Sequence, residues 1–334
     1  MEPESNDASA AESAGDRGRA AARPGEIPAR GWRDVLMRVK VEATADQVSL
    51  LGAGVAFFFL LSLVPTLIAA ISVYGLVSDQ AEVQRQITDA AQGLPSSARE
   101  LLVDQVSSVA DRSTAGLSIS ALVAIVLALW SASAGVRHLI EALNAAYDEE
   151  ESRGPVARYA QALVLATAGI LGGVAVVAVI SVVPALLDET SLSAAATTAL
   201  SLLRWPILAA IFALALGVLY RVGPDRDAPR ARWVSWGAIV ATLLWLIASG
   251  AFSIYADRFA SFDTYGSLAG VIVLMLWLQI TAVVILLGAE LNCELERQTA
   301  RDSTIGTPRA RGQRDAHAAD TVGPTAEQVR ADAT

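Results

Sequence analysis

The strongest constraint on this chain is a series of long stretches that contain no Asp, Glu, Lys or Arg. They cover residues 47–78, 113–136, 159–187, 233–256 and 264–289. An α-helix needs about 20 apolar residues to cross a bilayer core of roughly 30 Å, and each stretch reaches that length. Continuous apolar runs are typical of membrane helices, whereas membrane strands are short and alternate in polarity. We therefore expect an integral membrane protein.

A sixth candidate span, 199–220, carries a single charge, Arg204. That arginine lies about one turn from the end of the run, so its long side chain can extend to the membrane surface. Two helical patterns separated by Pro95 indicate a helical outer loop between the first two spans. The sequence thus predicts an all-α, polytopic membrane protein, a six-transmembrane-helix bundle. Its predicted spans are 48–77, 114–135, 159–187, 199–220, 233–256 and 265–289.

The two ends of the chain differ from the middle because they contain few large apolar side chains. Segments of this composition bury too little apolar surface to offset the entropy of ordering, so we predict disordered tails over 1–31 and 299–334. The membrane domain is then 32–298. It should begin with a short helix on the membrane surface, because four apolar residues share one helical face. They are Trp32, Val35, Leu36 and Val39.

The basic residues predict the orientation of the bundle. Of the 25 Lys and Arg residues, 20 fall in the two tails and in the loops after the second and fourth spans. The remaining five lie on the opposite side. Because basic residues favour the cytoplasmic side of a membrane, both termini are predicted to be cytoplasmic.

Several classes of chemistry lack the residues that they need. The chain has one cysteine, Cys293, and two histidines, His138 and His317, so no motif predicts a disulfide, a metal site or a catalytic residue. No phosphate-binding loop of the nucleotide-binding type is present, and we expect no cofactor. A folded basic domain that could hold nucleic acid is also missing. We therefore expect no nucleic acid partner and no enzyme.

Four separated stretches resemble a known family. They are Gly54–Pro65, Trp130–Tyr147, Leu219–Pro224 and the pair Tyr265–Leu268 with Leu287–Asn292. In order and spacing they are similar to the YihY/BrkB family of bacterial inner-membrane proteins, formerly labelled the ribonuclease BN family. The resemblance covers about 35–298. It implies a six-helix protein of the bacterial cytoplasmic (inner) membrane, without an agreed activity, since the family has carried ribonuclease, serum-resistance, export and lipid-transport labels.

Polar groups at or inside the spans are the candidates for a substrate path. A proline can open a helix for a substrate or merely kink it for packing. Inner-side guanidinium groups suit anions, although topology alone also places arginines there. An amide within a span needs a partner, and a carboxylate at a helix end can simply be solvated. The candidates are Ser62, Pro65, Arg137, Tyr220, Arg221, Tyr265, Gln279, Glu290 and Asn292.

Two functions from different classes follow. The first is a transporter or exporter of an amphipathic or anionic solute or lipid, with the lipid bilayer and an unknown small-molecule or lipid substrate as partners. The second is an envelope scaffold or assembly protein without a solute path. Ribonuclease activity is disfavoured for want of ligands and of an RNA-binding surface. The chain could also form a homo-oligomer.

Overall fold

The protein, seen in a computed structural model, is described over residues 17–77, 114–188, 194–259 and 267–332. Within these ranges the regular structure is helical, and strand pairing is limited to an isolated bridge between Pro229 and Thr304. The predicted all-α class is confirmed. The long helices are α2 (Val48–Val77), α3 (Thr114–Ala146), α4 (Pro155–Asp188), α5 (Ala194–Val222), α6 (Ala231–Phe259) and α7 (Ser267–Glu296). The shorter ones are α1 (Ala29–Ala45), α8 (His317–Asp320) and α9 (Ala326–Asp332).

The helices include several that are long and apolar enough to cross a membrane. Among the described residues these are Pro155–Gly173, Trp205–Val222, Ala231–Ala256 and Gly270–Glu296. A fifth span results if α1 and the first part of α2, which are bent by 60° relative to each other, count as one. The chain is therefore a multi-pass membrane protein, and the number of six spans stays a prediction. The predicted helical outer loop lies outside the described residues.

The last long helix, α7, is the centre of the bundle. It packs against α1, α2, α3 and α6, while α2 and α3 form the most extensive pair. Glycines let the helices approach closely, as is common in membrane bundles. A methyl group added at Gly52 would lie 2.7 Å from Val283, so α2 and α7 are in contact there.

The surface of the bundle is apolar along most of the helices. Leu50, Leu214 and Ile247 are 66%, 70% and 69% exposed, respectively. Such side chains fit hydrocarbon, where the backbone polar groups are satisfied within the helices. Among the described side chains, the buried core lies toward the end of the bundle where α2 and α6 begin and where α3, α5 and α7 end. Buried charged side chains such as Arg38 and Glu294 lie at the same end, which we call the polar end.

Both tails pack on the polar end where the structure describes them. The backbone N–H of Ala300 donates to Arg19 O at 2.8 Å, and that of Gly323 donates to Arg297 O at 3.0 Å. The Thr299 hydroxyl donates to Ala21 O at 2.7 Å. The prediction of disordered tails is therefore wrong for residues 17–31 and 299–332. Hydrogen bonds and ion pairs hold these segments, so their lack of large apolar side chains was a poor guide.

Candidate functional site

The end of α7 buries an unusual number of polar groups. Glu290, Glu294 and Glu296 are each at most 1% exposed, and Asn292 and Gln298 are fully buried. Since residues four apart share a helical face, Glu290, Glu294 and Gln298 lie on one side. Asn292 and Glu296 lie on another. Buried charges in proteins need partners, and the surrounding elements supply them.

On the first face, Glu294 pairs with two arginines. Arg38 of α1, which is 1% exposed, forms a short contact with the Glu294 carboxylate and donates to Gln298 Oε1 at 2.9 Å. Arg297 Nη1 lies 2.6 Å from Glu294 Oε1. Arg38 also donates to Pro324 O at 2.8 Å. One guanidinium thus joins α1, α7 and the C-terminal tail.

Glu290, on the same face, lies against another carboxyl group, that of Asp46 in the turn between α1 and α2. Glu290 Oε1 has no hydrogen-bond partner among the described residues. Burial raises the pKa of Asp46, while its hydrogen bond with Glu290 opposes that rise and the charge of Asp148 adds to it. Two neighbouring carboxyl groups that are removed from water cannot both ionise cheaply.

On the second face, Glu296 pairs with Arg226 from the loop after α5. Arg226 Nη2 lies 2.7 Å from Glu296 Oε2, and both side chains are 0% exposed. The Ser303 hydroxyl donates to the same carboxylate at 2.6 Å. The Arg226 guanidinium lies 5.0 Å from the centre of the Tyr147 ring. The pair therefore connects α7 with the loop after α5 and with the end of α3.

Glu149, in the loop after α3, extends this second group. Its carboxylate accepts the backbone N–H of His317 at 2.7 Å and lies 3.9 Å from Arg226. Burial raises the pKa of Glu149 to about 7, while the His317 hydrogen bond and Arg226 oppose that rise. The group therefore changes charge near neutral pH.

A third contact joins α5, α6 and α7 through two glycines. Asn292 Oδ1 accepts the backbone N–H of Gly237 at 2.8 Å. The Tyr220 hydroxyl donates to Ile285 O at 2.8 Å. A methyl group added at Gly237 would lie 2.2 Å from Gly288 O, so the backbones of α6 and α7 touch here.

The structure brings some of the predicted path residues together. Tyr220 and Asn292 meet at the contact of Gly237 with Gly288. Glu290 lies on another side of α7, beside Asp46, and is buried rather than solvated. Arg137 points toward α4, with its guanidinium 4.2 Å from the centre of the Tyr159 ring. It also donates to Ser133 Oγ at 3.2 Å.

The other predicted residues whose side chains the structure describes make separate contacts. The Ser62 hydroxyl donates to Phe59 O of its own helix at 2.8 Å. The helix α2 continues through Pro65, from Val48 to Val77. Arg221 is exposed at the end of α5, and Gln279 is half-buried in α7. Tyr265 lies outside the described residues.

Sequence reasoning missed most of the charged groups at this site, namely Arg38, Asp46, Arg226, Glu294 and Glu296. The sequence does contain part of the signal for the burial of these groups. Glu290, Glu294 and Gln298 recur at intervals of four on a helix whose preceding residues are apolar all round. Polar residues that continue the packed face of such a helix are candidates for burial. Their partners come from distant parts of the chain, which periodicity cannot reveal.

Known proteins match this chain over most of its length. The sequence model of the BrkB virulence factor family matches residues 39–313. YfkH of Bacillus subtilis, named as ribonuclease-like, is 30% identical over 260 residues, which cover 74% of this chain and 89% of the relative. A UPF0761 membrane protein of Alteromonas mediterranea is 28% identical over 258 residues, which cover 75% of this chain and 83% of the relative. No solved structure matches the chain.

Proposed function

The chain belongs to the BrkB virulence factor family, whose model matches residues 39–313, and we propose that it is a transporter of the bacterial cytoplasmic membrane. Its substrate is an anionic or amphipathic solute, a small molecule or a lipid. The polar end, on which the described parts of both tails pack, is the cytoplasmic side. Support for this orientation comes from the basic residues, and from the packing of the C-terminal tail against the basic loop after α5.

The proposal rests on the carboxyl pair of Asp46 and Glu290. An ionisable group within a membrane helix is costly and normally serves a transport path, a proton relay or a ligand. Glu290 is buried, it lies against a second carboxyl group, and one of its oxygens lacks a hydrogen-bond partner among the described residues. Replacing both residues by apolar ones would remove this cost. A proton-binding role explains why this costly pair of carboxyl groups is present.

The pair acts as a proton-controlled latch between α7 and the turn from α1 to α2. With one proton bound, the pair carries a single negative charge, and the polar end stays closed as seen here. Loss of the proton places two negative charges side by side, next to Glu294, and their repulsion favours separation. Gln47, beside Asp46, has a left-handed backbone with φ 52°, so a sharp turn rather than a continuous helix links α1 to α2. Such a junction can act as a hinge.

Opening at this latch would change the surroundings of Arg38 and Arg297. Both guanidinium groups hold Glu294 in the closed arrangement. Guanidinium groups bind carboxylates and phosphates through paired hydrogen bonds. An incoming anion would compete with Glu294 for these arginines, which favours an anionic substrate over a cationic one.

The test uses the full chain in liposomes of phosphatidylethanolamine and phosphatidylglycerol. Pyranine inside the vesicles reports proton movement, while carboxyfluorescein and a fluorescent phosphatidylglycerol serve as probes of anion and lipid movement. We expect a proton gradient to drive the flux of at least one probe. Glu290→Gln and Asp46→Asn should each slow that flux about tenfold or more, because neither amide can exchange the proton. Glu26→Gln, at a surface carboxylate, is the matched control.

The scaffold alternative has one observation in its favour. The two tails form an ordered surface over the polar end, and such a surface could hold another protein. Flux equal to that of empty liposomes, with and without a proton gradient, would reject the transporter and favour the scaffold. Full gradient-driven flux in Glu290→Gln would keep transport but reject the latch.

A further inference from the structure

An open groove of about 590 Å³ runs along the exposed side of α1. Its apolar floor is formed by Trp32, Leu36 and Met37. Its basic rim is formed by Arg33 and Lys40 of α1, together with Arg330 of the tail helix α9. None of the described residues that line it is acidic. The groove thus pairs an apolar surface with a cluster of positive charge.

The groove lies where the surface of a membrane is expected. The axis of α1 is bent by 60° from that of α2, so α1 runs closer to the membrane plane than to its normal if α2 crosses the bilayer. Leu36 is 58% exposed in the groove, and Leu50 at the start of α2 is 66% exposed. The Trp32 ring lies 5.4 Å from that of Trp236 in α6, and tryptophan is enriched at membrane interfaces.

The opposite side of α1 fixes the groove in place. Asp34 is 1% exposed, pairs with Arg17 at 3.0 Å, and accepts the backbone N–H of Ala326 at 2.9 Å. This last bond attaches the start of α9 to α1. The tail helix is therefore held against α1, and it places Arg330 at the rim of the groove.

We infer that this groove binds one anionic phospholipid at the surface of the membrane, with the headgroup phosphate between Arg33, Lys40 and Arg330 and an acyl chain along Leu36. Charge complementarity selects an anionic headgroup over a zwitterionic one. The apolar floor of Trp32, Leu36 and Met37 selects a lipid over a soluble phosphate. The groove is separate from the Asp46–Glu290 latch and does not depend on the proposed transport. Apart from Lys40, its lining also lies outside the family match at 39–313.

Native mass spectrometry of the full chain in detergent tests the inference. Dioleoyl phosphatidylglycerol, dioleoyl phosphatidylcholine and glycerol phosphate are added separately at matched concentrations. We expect one phosphatidylglycerol molecule to be retained about tenfold more tightly than phosphatidylcholine, and glycerol phosphate not to displace it. A basic residue near an anionic membrane contributes about a fivefold change in affinity. Lys40→Gln should therefore weaken phosphatidylglycerol binding about fivefold, and the triple change Arg33→Gln, Lys40→Gln and Arg330→Gln at least tenfold.

Two further variants separate the groove from general electrostatics. A control with Arg23→Gln, Arg301→Gln and Arg311→Gln removes the same charge from exposed residues that do not line the groove. It should leave phosphatidylglycerol binding within about twofold of the original chain. Leu36→Gln keeps the charge but should weaken binding about threefold or more. Equal losses in the two triple variants, or equal retention of both lipids by the original chain, would overturn the inference. Melting temperatures of the variants check that each remains folded.

Discussion

The two halves of α7 bury side chains of different chemistry, although both halves belong to one continuous helix. From Gly270 to Ala289 the helix is apolar apart from Gln279 and Thr281, and Val271 and Ile272 are 46% and 48% exposed. From Glu290 onward, three carboxylates and two amides are buried. The first half can be accommodated by lipid on one side and small residues on the other. The second half needs a specific charged or hydrogen-bonding partner for almost every turn.

This difference determines how each half should respond to mutation. In the apolar half, helices associate through close backbone contact, and shape dominates. In the polar half, desolvation of a charge is large and is offset only while its partner is present. Loss of one partner should therefore be more harmful than loss of both. The predictions below test that contrast in order of expected effect.

Removal of one member of a buried ion pair should have the largest effect. Arg226→Met leaves Glu296 fully buried without its guanidinium, so we expect the free energy of unfolding to fall by about 3–5 kcal/mol. Adding Glu296→Leu should restore most of that loss, because the fully buried carboxylate that Arg226 compensates is then absent. Thermal unfolding in detergent measures both. If the double variant were less stable than Arg226→Met, the two side chains would stabilise the fold by more than the neutralisation of each other's charge. The contrast between the halves would then weaken.

A change of shape at the boundary of the two halves should come next. Gly237→Ala would place its methyl group 2.2 Å from Gly288 O and 2.4 Å from Asn292 Oδ1. We expect a loss of about 1–3 kcal/mol, as for other overpacked sites, since backbone must move. Gly250→Ala in the same helix is the control, because a methyl group there meets no atom within 4 Å. Equal melting temperatures for the two variants would mean that α6 and α7 do not touch at Gly237.

The helices could be predicted from sequence, whereas the polar end could not. Apolar runs are local, so each predicted span falls within a helix wherever the structure describes it. The tails were misjudged because residues far apart in sequence hold them, such as Arg19 with the carbonyl of Gly323 at 2.7 Å. Amino-acid composition indicates how much apolar surface a segment can bury, but it gives no information about such pairs. The same reason explains Glu290, whose partner Asp46 is close in space but lies near the other end of the membrane domain in sequence.

A smaller, pH-dependent effect should come from Glu149. Its pKa is raised to about 7, above the ordinary value of 4.5 that it regains on unfolding. The stability associated with its protonated form is then fully present below pH 4.5 and is lost as pH rises through 7. When the pH is raised from 5 to 8, the melting temperature of Glu149→Gln should fall less than that of the original chain, by a difference of a few degrees at most. The neighbouring charges of Arg226, Glu296 and Asp225 remain in both proteins, so the difference between them isolates Glu149.

An identical pH dependence in both proteins would place the titration on another group. Glu26→Gln, in the N-terminal tail, is the control for loss of a surface carboxylate. Its melting curve should follow that of the original chain.

The smallest effect should come from a neutral hydrogen bond at the junction of the two halves of α7. Tyr220→Phe removes the hydroxyl that donates to Ile285 O, without changing the size of the ring. We expect a loss of about 0.5–1.5 kcal/mol, because the carbonyl also belongs to the helix and is not left without a donor. Tyr159→Phe is the matched control, since that ring is 41% exposed and keeps its stacking with Trp130. A loss at Tyr220 as large as that of Arg226→Met would show that neutral groups also become critical at this end of the helix. Burial at the polar end, rather than charge, would then explain the contrast.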